Sequence, residues 1–250
     1  MAVREVASKM KKYNALLAES SLVPHLPSTE WFEKETLSSM LDAYPTVFVK
    51  PVAGTGGKGI IRIRKTSGGY EVRHGAARTV TTKGNIYRTT NRYINTDKRY
   101  IVQRGIPLAS YKGGLFDLRI YMQKPENSWL ISGKIARVAS PGRFITNYHR
   151  GGKGVSLETA LSFVFAHDAD KVNKCVQDIE NVCHEAANAL DQRFPGLRTL
   201  GFDIGVQSNG HVWIIEANTR PKHNLFKLAT DQSMHKTILK NKRIIRKKYK

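Results

Sequence analysis

Apolar positions recur along the chain in two rhythms. Over 169–191 they fall at Val172, Cys175, Val176, Ile179, Val182, Cys183, Ala186 and Leu190, the three-and-four spacing of one helix face. Val6, Met10, Tyr13, Leu16 and Leu17 set up a shorter helix over 4–20, closed by the proline-punctuated VPHLPST. Ser28 and Thr29 then precede a short helix running roughly from Glu30 to Asp42. Thr29 can cap it, and Glu30 and Glu33 suit its N-terminal end. Residues 231–250 read as a basic amphipathic helix with Ile238, Leu239, Ile244 and Ile245 turned inward.

From Thr46 the rhythm changes to short apolar runs between turn signals. TVFVKP, IIRIRKT and GYEVRHG read as strands, the last two joined at Ser67-Gly68-Gly69. Tyr100 to Val102, FDLRIYMQ and WLISGKIARVAS follow in the same style. The final pair, GFDIGV and HVWIIEAN, makes a hairpin around Asn209-Gly210, a dipeptide that readily takes the positive φ angles of tight turns. No internal repeat is visible. Helices and antiparallel strands in these proportions give an α+β protein.

The last hairpin also carries candidate chemistry. Glu216 and Asn218 lie two apart on one strand and so share a face; Asp203 lies on the partner strand. Two carboxylates and an amide carbonyl are hard oxygen donors suited to Mg2+. A half-exposed polar face accounts for any one of them. The triple is harder to dismiss, because Glu216 follows the apolar run VWII, where an unpaired carboxylate is costly. Upstream, VAGTGGKGI places Gly54, Gly56, Gly57 and Gly59 between two strands, with Lys50 and Lys58 beside them. Closely approaching backbone N–H groups form an anion-binding nest there; an ordinary mobile hairpin is the alternative. No helix follows and no GK[ST] ending is present, so this is not a Walker A loop.

Charge widens the picture. The formal net charge is +21, with 40% hydrophobic residues. Residues 236–250 hold eight Lys/Arg and no acid, and 55–104 hold twelve against Glu71 and Asp97. Such an excess favours polyanionic partners, or simply solubility. No apolar run approaches the ~20 residues that span a membrane, and MAVREVASKMKKYN lacks the apolar core of a secretory signal. Cys175 and Cys183, the two cysteines, sit eight apart in one helix and read as reduced core residues. Together these features describe a soluble, cytoplasmic protein.

The ordered motifs resemble a known family. Asp203 followed by I-E-A-N at 215–218 is similar to the metal-binding hairpin of ATP-grasp ligases such as D-alanine–D-alanine ligase, glutathione synthetase and the ribosomal-protein glutamate ligases. The likeness runs over about residues 45–225. It is strongest to the YheC/YheD-like branch, associated with the endospore coat of bacilli. Shared features are a helical lead-in through L-P, FVKP-V-x-G-x-x-G-x-G-I, IVQ-x-G-I, F-D-x-R and LGxDIGV…IxExN.

The resemblance implies an ATP-grasp fold: two α+β lobes with the nucleotide between two antiparallel sheets. It divides the chain into a helical lead-in (1–44), a small lobe with the glycine-rich loop (45–105), a large lobe with the Mg2+-binding hairpin (106–230) and a basic C-terminal helix or tail (231–250). The α/β domain that precedes the lead-in in typical ligases is expected to be absent.

Carried onto this sequence, Asp203, Glu216 and Asn218 hold one or two Mg2+ ions, with Mn2+ able to substitute. Lys50, Gly54, Gly56, Gly57, Lys58 and Gly59 hold the phosphates of ATP. Gln103, Arg104, Gly105 and Ile106 form the adenine hinge, with Gln103 standing where an acidic residue is common. Arg137, Arg119 and Asn147 line the acyl-phosphate and acceptor site, while Arg150, Arg220 and Lys222 meet a negative substrate group. An ion pair with Asp117 or a neighbour is the plainer account of Arg119. A further family lysine corresponds to Lys9, Lys11 or Lys12.

The implied activity is an ATP- and Mg2+-dependent, ADP-forming carboxylate–amine ligation through an acyl-phosphate, on a small-molecule or peptide substrate with a negative group. The alternative is a non-catalytic basic coat or scaffold protein on the same fold, binding nucleotide or a polyanion such as nucleic acid.

Overall fold

The computed structural model describes residues 5–54, 56–139, 153–229 and 231–249. The chain packs as two compact units: one comprises 7–13 and 27–106, the other the remainder.

The first helix, α1 (Lys9–Leu17), is followed by a 3-10 segment, Ser20–His25, rather than by more of one continuous helix over 4–20. Ser20 and Ser21 are weak helix formers and Pro24 cannot donate to a helical ladder, so the last turn tightens instead of extending.

The unit of 27–106 is an antiparallel sheet backed by two helices. Its elements are β1 (Thr29–Trp31), α2 (Lys34–Ala43), β2 (Thr46–Pro51), β3 (Ile61–Thr66), β4 (Gly69–His74), β5 (Ala77–Thr81), α3 (Ile86–Asn91) and β6 (Tyr100–Arg104). The strand order is β1-β6-β2-β3-β4-β5. Val47, Val49, Ile61, Ile63, Val72 and Val102 close onto Leu37, Leu41 and Ile86 to make the core.

The helix expected from Glu30 starts four residues later. Thr29–Trp31 instead pairs with β6, Thr29 opposite Gln103, and the Thr29 hydroxyl donates to Pro27 O at 2.8 Å. Long-range pairing thus takes the residues that local preference gave to a cap. Glu33 becomes the N-cap, and its N–H donates to Thr36 Oγ1 at 3.0 Å.

The larger unit contains β7 (Ser110–Tyr111), β8 (Gly114–Gln123), β9 (Leu130–Val138), β10 (Lys153–Val155), α4 (Leu157–Val164), α5 (Ala169–Arg193), β11 (Thr199–Val206), β12 (Val212–Asn218), α6 (Asn224–Lys227) and α7 (Ser233–Lys248). Its antiparallel sheet runs β10-β9-β8-β11-β12, with β7 paired to β8. Phe116, Leu118, Ile120, Phe202 and Ile204 are buried and alternate with polar residues along β8 and β11. Helix α5 packs on β11 and β12, capped by the Asp168 carboxylate accepting from Lys171 N at 3.1 Å.

Helix α7 lies against β9. Phe226 and Ile238 meet Tyr121 and Ile135 in a second apolar cluster. The inward face of α7 is Ile238, Asn241 and Ile245; Leu239, expected inside, is exposed, and Ile244 is half-buried. Asn241 earns its buried place by donating to Ser132 Oγ at 3.0 Å. At the β11–β12 hairpin only Gly210 takes a positive φ, 90°. Gly210 N–H donates to Gln207 O, and the Asn209 side chain accepts from His211 N instead of twisting its own backbone. Among the described residues, no helix is long and apolar enough to cross a membrane.

Candidate functional site

Strand register builds the site in the larger unit. Asp203 is directly opposite Glu216, and Gly201 opposite Asn218. Cross-strand partners and i, i+2 neighbours share a face, so the three oxygen donors lie on one side of the sheet. Asp203 is also opposite Arg119 on β8, and Asp117 opposite Arg137 on β9. A charged row therefore crosses four strands: Arg137, Asp117, Arg119, Asp203, Glu216.

These charges hold each other. Arg137 grips Asp117 in a two-pronged pair, Nε to Oδ1 and Nη2 to Oδ2, both 2.6 Å. Arg119 Nη2 and Arg137 Nη2 lie 2.9 and 3.1 Å from Asp203 Oδ1. Arg119 thus pairs with Asp203 rather than Asp117. Burial on its own would ease the proton off Arg137; Asp117 and Asp203 outweigh it and hold the guanidinium pKa above its ordinary value. The planar guanidinium suits this double role, since it can meet two carboxylates in fixed geometry.

The donor set fits a hard divalent cation. Asp203 Oδ1 is buried and meets both guanidinium groups at ion-pair distance without hydrogen-bond alignment. Glu216 and Asn218 are half-buried beside it on the partner strand. An octahedral ion taking two or three protein oxygens and leaving its other positions to phosphate and water needs no more than this.

The glycine-rich segment lies in the other unit. Gly54, Gly56, Gly57 and Gly59 all have positive φ, between 69° and 137°. At Gly59 an added Cβ would also come within 3.1 Å of Pro51 Cγ, so strain and contact both require glycine. Lys9 N–H donates to Val52 O, and Lys9 Nζ donates to Gly54 O at 3.0 Å. Lys9 is thus bonded to this loop, while Lys12 is buried. Lys58, partway round the loop, is exposed.

Lys50 is buried on β2 and donates to Gln103 Oε1 at 2.5 Å. Gln103 Nε2 donates in turn to Thr29 Oγ1 at 3.0 Å. Gln103 and Arg104 are strand residues of β6, not connector. The N–H groups of Arg104 and Gly105 are taken by Ser28 O and Thr46 O. Ile106 ends this unit. The side-chain carbonyl of Gln103 thus orients the lysine, a role the sequence did not suggest; its only signal was Gln standing where an acid is common.

Arg220 is 80% exposed and pairs with Glu5 at 3.1 Å; Lys222 is exposed. Neither joins the charged row. Asn147 and Arg150 lie outside the described residues. Asp117, read in F-D-x-R only as a partner for Arg119, instead clamps Arg137, a role the sequence did not suggest.

A family model for YheC/D-like ATP-grasp proteins matches residues 2–243. The chain is 25% identical over 228 residues to the endospore coat-associated protein YheD of Bacillus subtilis (strain 168), covering 88% of this chain and 49% of that protein. It is 21% identical to YheC of the same organism, covering 92% of this chain and 64% of that protein. It therefore spans about half the length of the first relative and under two thirds of the second. Among solved structures, the C-terminal domain of K. lactis Pby1, an ATP-grasp enzyme interacting with the mRNA decapping enzyme Dcp2, aligns with a TM-score of 0.56 at 13% identity. That alignment covers 98% of this chain and 74% of that one.

Proposed function

The chain belongs to the YheC/D-like ATP-grasp family, and from that premise we propose that it is an ATP- and Mg2+-dependent carboxylate–amine ligase forming ADP through an acyl-phosphate. The observation that carries this reading is the register that sets Asp203, Glu216 and Asn218 on one face.

In this reading Lys50, held by Gln103, and the backbone of Gly54, Gly56, Gly57 and Gly59 with Lys58 bind the phosphates of ATP. The backbone from Gly105 to Ile106 meets the adenine edge. Asp203, Glu216 and Asn218 hold Mg2+, which when bound neutralises charge on the phosphate oxygens. The substrate carboxylate attacks the γ-phosphorus and ADP leaves. An amine then attacks the acyl carbon and expels phosphate. Arg119 carries positive charge to the face where the oxyanion develops. Arg137, clamped by Asp117, holds Asp203 in place as a positioning residue. Asn147 and Arg150 are kept as acceptor-side candidates, and Arg220 and Lys222 as contacts to a negative substrate group.

The test is ADP release by the full chain with ATP, Mg2+ and mixtures of candidate acids and amines. Release that requires both partners and is lost in Glu216→Gln supports the ligase. Turnover into a phosphorylated product without amine contradicts it. One observation favours a second reading: Lys236, Lys240, Arg243 and Lys247 form an exposed stripe along α7. No turnover with any acceptor, together with nucleic-acid binding that weakens steeply with salt, would assign a polyanion-binding coat or scaffold role instead.

A further inference from the structure

We propose that His223, His235, Lys242 and Arg246 form a binding site for the phosphoryl group of a ligand. The inference goes beyond the ligase reading, because it requires an anion and no turnover.

The site is assembled from two segments of the larger unit. His235, Lys242 and Arg246 stand at i, i+7 and i+11 on α7, which places them within a narrow stripe. That stripe flanks the seam of Ile238, Asn241 and Ile245 by which α7 is docked. His223, in the turn after β12, stacks its ring on that of His235 with centroids 5.9 Å apart. Its other side meets Tyr121 edge-on at 6.3 Å. Tyr121 follows Arg119 by two on β8 and is opposite Gly201, so the cluster adjoins the charged row.

The cluster is internally repulsive. Burial pushes the His223 pKa down, and Lys242, His235 and Arg246 push it further. Burial and then Arg246 push Lys242 down. Among the described residues, no carboxylate acts on either group. Among the described residues, the other half-buried lysines of the unit each have an acid: Lys124 has Asp191, and Lys134 has Glu158 and Glu180. Gathering four basic side chains without one disfavours the empty site, and an anion removes the penalty.

The number of charges points to the class of anion. Two permanent cations and two imidazoles exceed what one carboxylate neutralises. A phosphoryl group carries about −1.5 to −2 near neutral pH, with three acceptor oxygens. Ammonium, guanidinium and imidazole N–H groups on two segments suit a tetrahedral set of oxygens better than a planar pair.

The experiment follows the imidazole resonances of the full chain by 1H–15N correlation, with His223→Gln and His235→Gln for assignment. Inorganic phosphate, succinate and chloride are titrated at matched ionic strength. Saturable phosphate shifts of His223 and His235 are expected, with succinate and chloride leaving them in place. Because the anion prefers protonated imidazole, phosphate should raise the His223 midpoint, a readout that needs only the wild-type chain. Its neighbours in that titration are His235, Lys242 and Arg246 from α7 and Tyr121 from β8. Lys242→Gln with Arg246→Gln should weaken the phosphate effect about tenfold or more, and Lys50→Ala should leave it intact. The inference fails if phosphate gives no saturable shift, if succinate matches it, or if the double variant responds like wild type.

Discussion

Two carboxylates, one clamped by a single arginine and one met by two, show how the charge excess is used. Asp117 and Asp203 sit with Arg119 and Arg137 in side chains 8–15% exposed. Removing one partner of such a network strands a buried charge, which is worse than never having had the pair. Asp117→Asn should therefore destabilise the protein by about 3 kcal/mol, read as a lower urea midpoint at unchanged slope. A change under about 0.5 kcal/mol, the range of ordinary surface substitutions, would mean that Asp203 alone suffices to hold Arg137.

Glu71 is the counterpart in the smaller unit, buried and contacted by Arg62 at 2.7 Å, Arg78 at 2.5 Å and Arg64 at 3.6 Å. Burial raises its pKa, but the hydrogen bonds and charges of Arg62 and Arg78 win, and the net direction is down. A carboxyl whose folded pKa lies below its unfolded value of about 4.3 contributes stability in full above that pH. The contribution is lost as pH falls through the folded pKa. Glu71→Gln should thus cost most near neutral pH, and urea unfolding from pH 7 to 3 should show the gap to wild type closing below about pH 4. A constant gap would contradict the charge assignment.

Among elements, segments with a rhythm of their own were legible, and those that exist only through distant pairing were not. The α5 stripe and the strand runs of β8, β9, β11 and β12 could be read because burial of one face imposes its period on the residues. The metal-site candidates were legible for the same reason: alternation put Glu216 and Asn218 together, and the hairpin brought Asp203 opposite. Thr29 was misread because β1 is only three residues long and exists through pairing with β6, which no local window contains. Asn241 was not among the residues expected inward, because its partner, Ser132, lies 109 positions away.

Glycines also carry information that a motif hides. At Gly201 an added Cβ would stand 2.6 Å from Pro221 Cβ and 3.0 Å from Arg119 Nη1. Gly201→Ala should shift the turn after β12 and displace Arg119, destabilising by about 1–3 kcal/mol. Chemical unfolding checks the first effect, and loss of Mg·ATP affinity beyond that of a distant, equally destabilised variant checks the second.

At the scale of the molecule, the family and the fold follow from the matched residues, and the +21 charge is divided between uses. Part neutralises buried carboxylates, part gathers near α7, and Lys50 is presented on a strand by a glutamine. The central claim is that the β11–β12 hairpin holds a divalent ion on a nucleotide. Isothermal titration of ATP into the full chain, with Mg2+ or with EDTA, for wild type and Glu216→Gln, tests it most directly. Glu216→Gln removes one charge while keeping the side chain's length, and urea unfolding of the variant alongside separates loss of the ion from a collapsed network. Wild-type binding is expected to depend on Mg2+ and to weaken about tenfold or more in the variant. Equal binding in EDTA, or an unchanged variant, would contradict it.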